Sequence, residues 1–307
     1  TPATEAPDRT APPKSVSRPG DRIFRSLSIG SGALILLVLV GVTVFLFVGA
    51  WDALTADPSE VRGGEGLLAY VGPLIFGTLL SAVIALIIAL PLSVGIALFI
   101  SHYAPRRLAT GLGYIVDLLA AVPSIIFGLW GMQIAGNAVP VFDFLFENLG
   151  FIPLFGGSSV TTTGRTMLMI GIVLAIMILP IMTAVNREVF LQTPRLHEEA
   201  SLALGATRWE MIQQTVIPFG TSGVMSGAML GLGRALGETM ALYMVVSPSP
   251  VFRASLFDGG STFATHIANA SAEFNNPTSA GAYIAAGLVL FILTFVVNSI
   301  ARAIVNK

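Results

Sequence analysis

Residues 188–218 read EVFLQTPRLHEEASLALGATRWEMIQQTVIP, and their start and stop signals divide the segment into two short helices. Thr193 can cap a helix whose first position is Pro194, a residue favoured there because its missing N–H would have been unpaired anyway. Gly205 ends that helix. Thr207 and Glu210 have the capping-box spacing that starts a second helix, and Pro218 marks where it must break or hand over to the next element. The spacing predicts a helix-Gly-helix knob between long apolar stretches.

Those stretches dominate the chain. Of 307 residues, 54% are hydrophobic and 11% charged, against about 25% charged in a soluble domain. A helix that crosses a bilayer needs roughly 20 mainly apolar residues. Uncharged runs cover 26–51, 66–101, 118–142, 166–186 and 274–301, and a sixth run, 211–252, is interrupted only by Arg234 and Glu238. Six helices are expected near 29–50, 70–101, 109–131, 165–187, 219–246 and 281–304. The second holds Pro91, which predicts a kink or an extension beyond the lipid.

The first apolar stretch is longer than the 7–15 residues of a signal peptide and is expected to be retained. The residues before it are rich in Pro, Ser, Thr and charge, so 1–25 is expected to be a disordered cytoplasmic tail and 26–307 an all-α, six-helix transmembrane domain. Between the third and fourth helices, 132–164 mixes Phe142, Phe144, Phe146 and Phe151 with Asp143, Glu147, Pro and Gly. An interfacial or re-entrant element, or a packed surface loop, suits this pattern.

Cytoplasmic loops hold the excess of Lys and Arg. With the N-terminus inside, the cytoplasmic side receives Arg9, Lys14, Arg18, Arg22, Arg25, Arg106, Arg107, Arg187, Arg195, Arg208, Arg302 and Lys307. The outside receives Arg62, Arg165 and Arg253. Twelve against three predicts that both termini are cytoplasmic, which puts the 188–218 knob in the cytoplasm. Asp117 then falls near the cytoplasmic start of the third helix, where the helix dipole would stabilise a carboxylate.

Several functions are excluded by residue type. A formal net charge of −1 gives no basic surface for nucleic acid. The chain has no Cys, and its three His are scattered at 102, 197 and 266, so no metal cluster is expected. Its two Lys, at 14 and 307, lack the Gly-rich context of a P-loop, so the chain has no ATPase site of its own. No Ser, His and carboxylate set suggests an enzyme, and no cofactor is expected.

The fifth apolar run carries the charge. Residues 231–241 read GLGRALGETMA, and an ionisable residue inside a membrane marks a candidate functional site. On a continuous helix Gly223, Gly227, Gly231, Arg234 and Glu238 fall within about 80° of one another. The glycines would let a second helix approach closely. Arg234 lies about 22 Å into the span, and its guanidinium offers five donors in a fork suited to phosphate or sulfate oxygens. An i,i+4 Arg234–Glu238 salt bridge is equally compatible, and the two readings can coexist, with Glu238 holding Arg234 at rest and surrendering it to an anion. A nucleotide-binding reading of these glycines fails, since the spacing is GxGxxxG and no strand precedes it.

Two motifs carry a family resemblance. Glu199-Ala200-Ser201, then Gly205, then Thr215-Val216-Ile217-Pro218 resembles the EAA loop of ATP-binding-cassette (ABC) importer permeases, with Ser201 in place of the second Ala and Thr215 where Ile is common. GLGRALGETMA resembles the fifth-helix signature of PstC-type permeases of the phosphate-specific ABC importer, and AAVPSIIFGLWG at 120–131 resembles a segment of the same permeases. The resemblance implies a type I ABC importer permease fold in the bacterial inner membrane. It assigns substrate handling to Arg234 and Glu238, and docking on the ATPase to Glu199, Ala200, Gly205 and Pro218. It further implies two ATPase copies, a sister permease and an extracytoplasmic phosphate-binding protein as partners. Permeases for sulfate or molybdate are the nearest alternatives. An ion-coupled transporter or anion channel would also suit an intramembrane Arg, but has no ATPase to dock.

Overall fold

The computed structural model describes residues 19–57, 66–156, 160–248, 254–270 and 277–305. Contacts divide the chain into two units, Thr1–Val48 and Gly49–Lys307. Among the described residues there is no strand, and six helices are long and apolar enough to cross a membrane.

Helix α1 (Pro19–Thr55) begins six residues before the expected end of the tail, so 19–25 are helical, and 1–18 lie outside the described residues. Within the first unit, the hydroxyls of Ser26, Ser31 and Thr43 each donate to a carbonyl one turn back. This satisfies their donors without water, as lipid requires.

Helix α5 (Met167–Leu191) is the centre of the second unit. Fourteen of its residues are buried, from Met167 to Phe190, and Thr166 caps it by accepting from Met169 N. Helix α2 (Leu67–Leu98) lies against it through a ladder of small residues, Ala82, Ala85, Ala89 and Ser93. Small side chains allow the close approach that substitutes for hydrophobic driving force in lipid. Gly171 meets Ile84 and Asn186 donates to Ser93 Oγ at 3.2 Å, so the two helices run parallel. Helix α2 continues unbroken through Pro91 and ends in a wide π-turn, Phe99–Tyr103.

The third span differs from expectation. Residues 106–131 form not one helix but α3 (Arg106–Ala120) and the start of α4 (Ser124–Leu149), separated at 121–123. Pro123 has no N–H and disfavours helical backbone at Val122, so the N–H groups of Ala121 and Val122 close tight turns onto Leu118 and Leu119. The membrane crossing is therefore α4, and α3 precedes it as a separate amphipathic helix. Asp117 consequently stands in the last turn of α3 rather than near a helix start, where the dipole opposes a carboxylate. Helix α4 also absorbs the first half of the 132–164 segment.

The described residues in the rest of that segment, 150–156 and 160–164, form a packed loop. Leu256 N donates to Leu154 O, Thr161 N to Phe257 O, and Met167 N to Asp258 O. Phe257 is fully buried among Phe142, Phe146 and Phe155, with ring centroids 5.7–6.2 Å away. Phe257→Ala is expected to destabilise the loops packed around it by about 3–5 kcal/mol, the usual cost of emptying an aromatic core site. A thermal-unfolding shift in detergent, against Phe151→Ala at an exposed position, would measure it.

Helices α6 (Arg195–Ala203) and α7 (Arg208–Met211) follow α5, and a π-turn at Ile212–Val216 joins α7 to α8 (Ile217–Leu236). After α8 come α9 (Met240–Val245), α10 (Phe263–Asn269) and α11 (Pro277–Val305). The last turns of α1 meet α11 in antiparallel fashion, Gly49 beside Ile284 and Ala53 beside Gly281.

Candidate translocation site

The glycine ladder of α8 works as its spacing suggests. Gly220 and Gly223 meet Phe190 and Val189, Gly227 meets Asn186, and Gly231 meets Met182, all on antiparallel α5. A Cβ at any of these positions would collide with a side chain of α5. Asn186 is fully buried in this contact, and its Oδ1 has no hydrogen-bond partner.

The ladder ends in a break. Helix α8 stops at Leu236, and Gly237, Glu238 and Thr239 are non-helical before α9 begins. Glu238 is 8% exposed, and its Oε1 accepts from Ala241 N at 3.0 Å, satisfying one of the orphan donors at the start of α9. Thr239 makes no side-chain cap there, its hydroxyl turning back to Gly237 O at 3.4 Å.

The break overturns the single-stripe geometry expected of Arg234 and Glu238. The helix does not continue between them, so they are not i,i+4 neighbours on one face. Glu238 is buried and capping, whereas Arg234 is exposed, and no salt bridge joins them. Arg234 shares its open face of α8 with Ser222, Ser226 and Leu230. Sequence reasoning passed over the two serines, although their i,i+4 spacing ahead of Arg234 was a usable signal of a polar face.

The second motif meets the first. Gly128 of α4 lies against the backbone of Ala241, and Gly131 against Val173 and Val245. The AAVPSIIFGLWG segment thus supplies the α3–α4 break and two glycines that seat α9. Non-helical backbone at membrane depth is tolerated only where it is buried in protein or lines a water-filled space, and the face carrying Arg234 cannot meet hydrocarbon.

The 188–218 loop has its own geometry. Pro194 stands outside α6 as its N-cap, with φ −64° and ψ 123°, so Thr193 does not cap; its hydroxyl is buried without a partner. Thr207 and Glu210 do form a capping box: the Thr207 N–H and hydroxyl donate to Glu210 Oε2 at 2.7 and 2.8 Å. These two bonds, the backbone one foremost, hold the Glu210 carboxyl below the usual carboxylate range. Of the two outcomes expected at Pro218, the helix hands over to the next one and does not break. Pro218 is the second residue of α8, and the π-turn before it opens the hydrogen-bond ladder where proline cannot donate. Gly205 has φ +91° and open space around its Cα, while Glu199 and Ala200 are exposed. Leu196, Leu204 and Trp209 are exposed beside them, Leu204 at 90%. The other side of the loop is anchored: Met211, Ile212 and Val216 pack with Leu98 and Phe190, and His102 approaches Glu198 at 3.5 Å.

Six apolar helices of membrane-crossing length, one of them carrying Arg234 and stopping at the Gly237–Thr239 break, define an integral membrane protein. Residues 89–307 match the family described as binding-protein-dependent transport system inner membrane component. The chain is 48% identical over 299 residues to the phosphate transport system permease protein PstC 2 of Mycobacterium tuberculosis, covering 94% of this chain and 92% of the relative. It is 36% identical over 293 residues to the phosphate transport system permease protein PstC of Mesorhizobium japonicum, covering 92% and 89%. Its fold is similar to a chain of a bacterial alginate ABC transporter in complex with an alginate pentasaccharide-bound periplasmic protein, with a TM-score of 0.57 at 16% identity, covering 95% and 99%. The chain belongs to the binding-protein-dependent inner membrane transport components and, among them, to the PstC permeases.

Proposed function

We propose that this chain forms part of the membrane pathway for inorganic phosphate in an importer driven by ATP hydrolysis on partner subunits. The observation that carries this reading is the broken fifth span. Its unwound Gly237–Thr239 segment and the open Arg234 face need a polar space or a second subunit beside them, and a guanidinium fork there suits a tetrahedral oxyanion. The PstC relatives narrow the oxyanion to phosphate. A related permease would supply the facing half, with an extracytoplasmic phosphate-binding protein delivering substrate to the outer mouth.

Two ATPase copies would dock on the permease pair, one of them on the α6–α7 loop of this chain. The exposed apolar side chains around Gly205 are the surface offered to the groove, and the anchored side ties that surface to α2 and α5. Glu199, Ala200, Gly205 and Pro218 are the proposed coupling residues, and Arg234 and Glu238 the proposed pathway residues.

Uptake of labelled phosphate into vesicles holding the whole complex tests the substrate. It should be suppressed by unlabelled phosphate and not by equimolar sulfate or molybdate. Suppression by sulfate or molybdate would favour a general oxyanion permease, and uptake without ATP would favour an ion-coupled transporter.

Both termini are proposed to be cytoplasmic. Reporter fusions at Lys307 and in the 255–275 loop should report opposite sides of the membrane, and the same side for both would overturn the topology.

A further inference from the structure

The cytoplasmic end of α5 meets the start of α3 and the π-turn of α2 around an open cleft of about 560 Å³. Three arginines from three elements converge on it: Arg106 at the first position of α3, Arg187 near the end of α5, and Arg195 at the first position of α6. Thr110 and Tyr114 add hydroxyls, and Asp117 is the one carboxylate lining it. Among the described residues, none of the three arginines is in a salt bridge. The cleft carries an excess of positive charge that the chain itself does not neutralise.

Arg187 distinguishes this cleft from an ordinary basic membrane face. Its Nε is buried with no hydrogen-bond partner. Its guanidinium lies against Gly113 of α3, in the space that a Cβ there would share with the flexible end of the arginine. Helix α3 carries its interior glycine where the guanidinium lies closest to it. A partly buried guanidinium without a counter-charge is costly, and no contact within the chain offsets that cost. The positive-inside bias explains an excess of basic residues here. It does not explain their convergence from three elements, or the seating of Arg187 in a glycine notch.

A tetrahedral anion would complete the cluster. Guanidinium forks match phosphate oxygens bidentately, and the first N–H groups of α3 have no side-chain cap. The exposed Tyr114, Ile115 and Leu118 give α3 an apolar side suited to the membrane interface, which sets the cleft at headgroup depth. We infer that this cleft is a phosphate-group site at the cytoplasmic boundary, distinct from the pathway, filled by inorganic phosphate or by an anionic phospholipid headgroup.

The test uses the full chain with its partner subunits in nanodiscs, in an Arg234→Gln background that removes the proposed pathway contact. Arg187→Gln with Arg195→Gln is compared with Arg107→Gln and Arg302→Gln, an equal loss of charge outside the cleft. One arm measures equilibrium binding of labelled inorganic phosphate in phosphatidylcholine discs. The other counts retained phosphatidylglycerol against phosphatidylcholine by native mass spectrometry. Binding in one arm should weaken about tenfold in the cleft variant and about twofold or less in the control. A change in the first arm identifies free phosphate, and a change in the second alone identifies the headgroup. Should the double variant fail to assemble, Arg195→Gln alone, at an exposed position, should still weaken binding about threefold. Equal weakening in cleft and control variants, or no change in either arm, overturns the site.

Discussion

Arg234→Gln is expected to abolish phosphate uptake while the complex assembles normally, and this is the largest effect foreseen for any single substitution. Arg234 sits on an open face and makes no salt bridge among the described residues, so replacing it removes no internal contact. What disappears is the charge and the planar fork. Arg234→Lys keeps the charge but loses bidentate geometry, so uptake should fall about tenfold rather than vanish. Glu238 separates from it experimentally because its carboxylate caps α9. Glu238→Gln keeps an acceptor for Ala241 N, and the weaker neutral bond should lower uptake about fivefold or less. Glu238→Ala removes the acceptor and should lower it further by loosening the break. Unchanged uptake in Arg234→Gln would remove Arg234 from the pathway. A Gln variant of Glu238 as damaging as Ala would show that charge, and not capping, is what matters there.

Gly205→Trp is expected to uncouple the ATPase with membrane insertion intact. The position is left-handed at φ +91°, so any side chain strains the backbone by about 1–2 kcal/mol. Among the described residues, nothing lies near enough to clash with a first side-chain atom. Bulk at this point would therefore act on whatever docks there. Gly205→Ala separates the two effects, since it carries the strain without the volume. Hydrolysis stimulated by the loaded binding protein should drop about tenfold or more in Trp and only modestly in Ala, with copurification of the ATPase lost in Trp alone. A Gly205→Trp complex that copurifies and hydrolyses normally would give the loop another role.

Much of this was legible beforehand. The Thr207–Glu210 capping box depends on residues three apart, and it forms. The Gly223, Gly227 and Gly231 ladder depends on helical spacing alone, and it meets α5 as a close-packed face. The neighbouring expectation about Arg234 and Glu238 failed because it assumed an unbroken helix. No local signal marks Gly237 as a break rather than one more small residue in a glycine-rich run.

The amino-acid sequence by itself determined that the chain crosses a bilayer and where its apolar helices lie. Membrane insertion sums transfer free energy over roughly 20 residues and hardly depends on neighbours. Only the tertiary structure decided where those helices stop. The turn at 121–123, the unwound 237–239 segment and the π-turn ahead of Pro218 each exchange a few backbone hydrogen bonds for other partners. Which side of that exchange wins is set by what packs alongside: Gly128 against Ala241, Glu238 on Ala241 N, and Arg187 in the notch at Gly113. The two glycine contacts join residues tens of positions apart, and the Glu238 cap, though local, forms only because the helix stops before it, so a reading that assumes continuous helices shows none of them.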